Sequence, residues 1–326
     1  MDRSSLVAFV AVAVAGVTLA VLARRQQAET MDYLDPPPLS TFVTLPSGHR
    51  VRYVDTYTDK TITSNIQTTF VLVHVFTGVL ETWSRLVPHL IANTSTTRVI
   101  ALDLLGSGFS DKPLDIDYTF RNQGKLVTDF VKVLKLHENT GKLVLVGHSS
   151  GGIVCAAASP YLPRLDGLFL IAPGFYQVRP TLLSRFPWFG RYMANVLQGK
   201  LAGLLEANHV TAGTLTDDTK AAFAAQWQTR HAKQALQEMV IAKEAPYEQV
   251  LSDIPATVPL HIVWSKEDAV NPYAADQIQA HFASSSAQPH PPFTYTLLSG
   301  SGHYLQHEIP EQLAAEMAKF VETLSS

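Results

Sequence analysis

The sequence has a single cysteine, Cys155, so it can form no intrachain disulfide and no thiolate metal cluster. Its neighbours Ile153, Val154, Ala156 and Ala157 are apolar, and the thiol reads as an inert core group because burial suppresses the thiolate. Charge is scarce as well: 16% of the 326 residues are Asp, Glu, Lys or Arg, and the formal net charge is −3. That leaves no basic field for a phosphate backbone, which argues against nucleic acid as a partner. Internal repeats and low-complexity tracts are absent. With 46% hydrophobic residues, the chain instead has material for one large core.

One long hydrophobic run is present. Leu6 to Leu22 (LVAFVAVAVAGVTLAVL) carries no charge, is near the short end of what spans a bilayer, and is apolar on every face. Arg24 and Arg25 close it, which fits an uncleaved single-pass anchor over residues 1–25 better than a signal peptide, whose charge precedes the apolar stretch. Residues 26–39 end in Asp35-Pro36-Pro37-Pro38 and read as a short stiff linker. The side of the membrane stays open. The positive-inside count leans toward a cytosolic domain, whereas Asn93-Thr94-Ser95 is a glycosylation acceptor if the domain faces a lumen.

From Ser40 the pattern is that of an α/β domain. Thr41 to Leu45 and Val51 to Tyr57 flank the turn signal Pro46-Ser47-Gly48 and predict an antiparallel pair. Short apolar strands then alternate with helical stretches: Phe70–His74, Val99–Asp103, Leu143–Val146, Leu168–Ile171, Leu260–Trp264 and Phe293–Leu298. This is the signature of a mostly parallel sheet covered by helices on both faces, eight-stranded with the opening pair. Residues 176–245 break the rhythm with helical periodicity and no strand, and predict a cap inserted into a core made of 40–175 and 246–326. The aromatic-rich segment from Leu182 to Met193 is expected to pack the cap onto the body and to line an acyl pocket.

The chemistry concentrates in three places. Gly147-His148-Ser149-Ser150-Gly151 lies between a predicted strand and the small-residue helical stretch that follows. A tight strand-to-helix turn there lifts the Ser149 hydroxyl above the sheet, and its helix N-terminus favours developing negative charge. A serine hydroxyl needs a base, and the base needs a carboxylate to hold its tautomer. Of the 12 histidines, His303 stands out in the glycine-rich loop Ser299–His303 after the last strand, with His307 its main competitor and His148 read as a packing residue. Asp268, in the loop leaving the Leu260–Trp264 strand, completes the order Ser, Asp, His, with Glu267 its neighbouring alternative.

Together these residues resemble the α/β-hydrolase superfamily, in particular its capped esterases, monoacylglycerol lipases, epoxide hydrolases and haloalkane dehalogenases. Asp103 to Pro113 resembles the family's DxxGxGxSxxP turn, Trp264 to Pro272 its acid loop, and Gly302 to Glu311 its histidine loop and final helix. The resemblance implies an α/β-hydrolase fold with a helical cap, a turn-forming rather than catalytic role for Asp103, and no metal or organic cofactor. It implies a serine carboxylesterase or lipase acting on apolar acyl substrates such as monoacylglycerols. A C–C bond hydrolase with the same triad, or a poorly catalytic receptor of this fold, is the alternative. His74-Val75-Phe76-Thr77-Gly78 aligns with the family's HGFTG-like loop, so the backbone N–H groups of Phe76 and Ser150 are the implied oxyanion donors. Val75 stands where relatives have glycine, and a β-branched residue resists positive φ, so the path of this loop is left open.

Overall fold

The computed structural model describes residues 40–57, 66–92, 96–139, 141–175, 186–271, 273–284 and 290–324. The expected anchor, the linker, Asn93-Thr94-Ser95 and the first part of the expected cap lie outside these residues. Among the described residues no helix is long and apolar enough to cross a membrane.

Eight strands form one sheet: β1 (Thr41–Thr44), β2 (Arg50–Asp55), β3 (Thr68–Val73), β4 (Thr97–Leu102), β5 (Lys142–His148), β6 (Gly167–Ile171), β7 (Leu260–Ser265) and β8 (Phe293–Leu298). Their order is β1-β2-β4-β3-β5-β6-β7-β8. The β1–β2 and β2–β4 pairs are antiparallel, and every other pair is parallel. The turn from β1 to β2 closes through Gly48 N–H to Leu45 C=O at 2.8 Å, with Gly48 at φ 85°.

The helices are α1 (Val87–Ile91), α2 (Phe120–Val133), α3 (Ser150–Ala158), α4 (Pro187–Gln198), α5 (Leu201–Ala207), α6 (Asp217–Ala225), α7 (Ala232–Ile241), α8 (Tyr247–Ser252), α9 (Ala275–Ser284), α10 (Leu305–Glu308) and α11 (Pro310–Thr323). Central strands β3, β5, β6 and β7 are buried along their length, as strands covered on both faces must be. Phe130 and Val131 of α2 and Leu313, Met317 and Phe320 of α11 are buried in the core, whereas Ile91 of α1 is exposed. Cys155 is buried in α3, and burial pushes its thiol pKa up.

This strand order has a functional consequence. After β3 the chain moves to one side to make β4, then returns past β3 to make β5 on the other side. The loops leaving β3 and β5 therefore diverge over neighbouring strand ends, and such a switch point opens a crevice at the carboxyl edge of the sheet. Register puts Val73 beside Gly147, so His74 and Ser149 begin their loops next to each other.

Between β6 and β7 the described residues form α4, α5, α6, α7 and α8, with no strand. The aromatic segment does not behave as expected. Trp188 is 69% and Tyr192 60% exposed, and Phe186 and Met193 also face solvent. They lie on α4 or at its entry and leave the attachment to other residues, Met239 and Gln226 among them.

Candidate active site

Ser149 occupies a backbone conformation that side chains avoid, φ 54° and ψ −118°, between the last residue of β5 and the first of α3. Such strain costs about 1–3 kcal/mol and persists only where surrounding structure enforces it. Here Ser149 N–H donates to Ile171 C=O at 2.8 Å and Ser149 C=O accepts from Gly152 N–H at 3.0 Å. The flanking glycines are required by close approach. A Cβ on Gly147 would sit 2.6 Å from Gly152 Cα, and one on Gly151 would collide with the Val73 and His74 carbonyl oxygens.

The loops after β7 and β8 carry the other two candidates. After β8, His303 is buried, and its Nδ1 lies 2.8 Å from Asp268 Oδ2. Asp268, from the loop after β7, accepts Val270 N–H at 2.8 Å and Asn271 N–H at 3.0 Å on Oδ1, which leaves Oδ2 to the imidazole. A carboxylate can only accept, so the Nδ1 proton is shared with Asp268 and the lone pair sits on Nε2. That Nε2 is buried and has no hydrogen-bond partner among the described residues. Ser149 Oγ accepts a hydrogen bond from Asn271 Nδ2 at 3.1 Å, and the same Nδ2 donates to Ala172 C=O at 2.7 Å. Sequence reasoning assigned Asn271 no role; its meeting with Ser149 is set by tertiary structure, with no spacing to reveal it.

The remaining candidates have other partners. Glu267 accepts from Ser265 Oγ and Gly300 N–H. His307 Nε2 faces Thr82 C=O at 2.9 Å and Thr82 Oγ1 at 3.1 Å. His148 Nε2 donates to His303 C=O at 2.8 Å, and its Nδ1 accepts from Gln306 Nε2 at 3.1 Å. Asp103 receives Leu80 N–H, Phe109 N–H and Arg52, as a carboxylate that shapes a turn does.

Of the implied oxyanion donors, Ser150 is the first residue of α3 and Phe76 lies in the loop after β3. Among the described residues neither N–H donates to a protein acceptor. The loop avoids the difficulty posed by Val75. Positive φ falls on Thr77, at 57°, and not on Val75, while Gly78 N–H closes the turn onto Val75 C=O at 2.8 Å.

The helical insertion is bonded to the histidine loop. His303 N–H donates to Asn208 C=O at 3.0 Å, just after α5. His209 stacks on Tyr304 with ring centroids 4.7 Å apart, and its Nε2 is 2.9 Å from His307 Nδ1. Glu308 spans the junction, accepting Gly302 N–H on Oε1 and the N–H groups of Val210 and Thr211 on Oε2. Burial holds the pKa values of these histidines down, that of His148 well below the ordinary value and that of His307 near about 3. The His148 ring packs against that of His303 with centroids 4.7 Å apart.

A cleft of about 420 Å³, partly open to solvent, adjoins the turn. Phe76 and Ser150 border it, Leu105, Phe120 and Val154 supply apolar wall, and Met239 reaches in from α7. Among the described residues no group of three or more His, Cys, Asp or Glu side chains could hold a metal ion.

A strained serine at the switch point of a largely parallel sheet, linked through Asn271 to an aspartate that holds a histidine from a later loop, defines a class of hydrolytic α/β proteins. The sequence model of the alpha/beta hydrolase fold matches residues 68–310, and the chain belongs to that family. An uncharacterised hydrolase of Bacillus subtilis, YugF, is 26% identical over 262 residues, which cover 78% of this chain and 89% of that protein. The human 1-acylglycerol-3-phosphate O-acyltransferase ABHD5 is 24% identical over 284 residues, 79% of this chain and 78% of the relative. A solved thermophilic esterase from Thermogutta terrifontis superposes with a TM-score of 0.65 at 20% identity, covering 88% of this chain and 99% of the esterase.

Proposed function

We propose that this protein is a serine hydrolase that cleaves carboxylic esters of apolar acyl substrates through Ser149, His303 and Asp268. The observation that carries the reading is the strained Ser149 turn together with a buried His303 whose Nδ1 is held by Asp268 and whose Nε2 is unpartnered. In resting enzymes of this kind the nucleophile–base bond is often long or misaligned. Here Ser149 Oγ turns from Asn271 toward His303 as substrate enters. Oγ attacks the ester carbonyl while Nε2 takes its proton, and the carbonyl oxygen gains negative charge against the N–H groups of Phe76 and Ser150. The tetrahedral adduct collapses, the alcohol leaves with the proton from Nε2, and an acyl group remains on Ser149. Water, deprotonated by His303, then releases the acid and restores the hydroxyl.

The esterase fold-neighbour and the lipid-acyl relative support an ester of apolar character, and the apolar cleft beside Ser150 agrees. The charge-free run Leu6–Leu22 supports placing the enzyme on a membrane by a single N-terminal anchor, where such substrates partition. The test is hydrolysis of p-nitrophenyl esters of graded acyl length by the full-length protein. Turnover that depends on chain length and is lost in His303→Ala supports the proposal. Saturable binding of the same esters with no turnover would assign the chain to the receptors of this fold instead.

A further inference from the structure

The cleft beside Ser150 is apolar over most of its wall but carries two hydrogen-bond acceptors with spare capacity. Gln123 comes from α2 and is 5% exposed. Its Nε2 donates to Leu105 C=O at 2.9 Å, which fixes the amide orientation and leaves Oε1 buried with no partner. Glu244 follows α7, and both its oxygens receive the same donor, Phe120 N–H, at 3.1 and 3.0 Å. A carboxylate offers about four acceptor positions, so most of this one's capacity is unused. Unused acceptors in an apolar cleft are costly, and a ligand that brings a donor recovers that cost.

Several of the other polar groups on the wall are engaged elsewhere, while the Ser107 and Ser150 hydroxyls stay on the cleft lining. Tyr118 O–H is spent on Pro113 C=O and Thr77 O–H on Phe76 C=O. His74 is occupied through both ring nitrogens, by Val75 C=O and Leu104 N–H. Burial raises the carboxyl of Glu244 to about 7. A bound ammonium would have to lose its hydration in the same surroundings, whereas a neutral hydroxyl enters at small cost.

We propose that this cleft receives a chain of the substrate bearing a hydroxyl group, which donates to Glu244 or to Gln123 Oε1 while the ester carbonyl lies at Phe76 and Ser150. The substrate class is a hydroxylated apolar ester. The proposal rests on the catalytic reading above for the position of the carbonyl, but not for the selectivity of the cleft.

Ligands that need no turnover separate the two. Alkan-2-ones of six to twelve carbons, together with their ω-hydroxy and ω-amino counterparts, are titrated into the full-length protein by calorimetry, alongside the p-nitrophenyl ester assay. At the chain length that spans the cleft, the ω-hydroxy ketone binds about tenfold more tightly than the plain ketone, the worth of one hydrogen bond to a charged or buried acceptor. Ser149→Ala keeps that preference. Glu244→Leu loses it, and Glu244→Gln, which keeps an acceptor in a side chain of the same shape, retains part of it. Equal binding of plain and hydroxylated ketones at every length overturns the proposal, as does tighter binding of the ω-amino ketone. Hydroxyl preference without ester hydrolysis leaves the cleft assignment standing and removes the catalytic reading.

Discussion

Replacing Ser149 with glycine should stabilise the fold relative to replacing it with alanine, the reverse of the usual ranking. Both substitutions remove the Oγ that Asn271 Nδ2 reaches at 3.1 Å, so that loss cancels in the comparison. What differs is the backbone. At φ 54° and ψ −118° alanine keeps the full steric penalty, about 1–3 kcal/mol, and glycine relieves it. Glycine also gives the unfolded chain more freedom, which takes back about 0.4–1 kcal/mol. The balance favours glycine by roughly 0.5–2 kcal/mol, or about 1–6 °C in Tm for a domain of this size. Equilibrium urea unfolding of the two variants, with calorimetric Tm values beside it, reads the difference. Ala221→Gly on exposed, unstrained α6 is the control and should cost about 1 kcal/mol. An alanine variant as stable as the glycine variant would refute the argument that strain is held at this turn.

Three further outcomes follow from the same geometry. Asp268→Asn should keep the fold but lower kcat by about 10⁴, because an amide in that place no longer selects the Nδ1–H tautomer of His303; steady-state kinetics on a p-nitrophenyl ester measures it. His307 has its pKa depressed by burial to about 3, so the folded protein binds fewer protons than the unfolded chain as pH falls below the ordinary histidine range. Its share of stability is complete above about pH 6.5 and is lost toward pH 3 at up to about 1.4 kcal/mol per pH unit. His307→Gln should therefore show a shallower acid limb in urea unfolding between pH 7 and 5. Glu308→Ala removes the acceptor shared by Gly302, Val210 and Thr211, and hydrogen exchange at Val210 and Thr211 should speed up about tenfold or more.

The central strands were legible because they are buried on both faces and read as apolar runs; Phe293–Leu298 matches β8 residue for residue, although that edge strand is largely exposed. The chain order Ser149, Asp268, His303 was legible for a similar reason, since each residue directly follows a strand or lies in the loop leaving one. Other parts were not. Asn271 meets Ser149 across 122 positions of sequence, and no local pattern encodes that contact. Val75 left the path of its loop open, because a β-branched residue resists positive φ, and the turn puts that conformation on Thr77 instead. The aromatic residues around α4 were assigned to packing by composition alone, and their hydrophobicity could not reveal that they face solvent. The junction of Asn208, His209 and Glu308 with the histidine loop was hidden too, because it joins polar groups whose value lies wholly in their mutual geometry.

The most direct test of the account is the site of covalent capture. A fluorophosphonate reacts with the full-length protein, and the digested product is mapped by mass spectrometry. The account predicts one phosphonyl adduct, on Ser149, formed much more slowly in His303→Ala and absent from Ser149→Ala. An adduct on another residue, or labelling of Ser149→Ala equal to wild type, would contradict it.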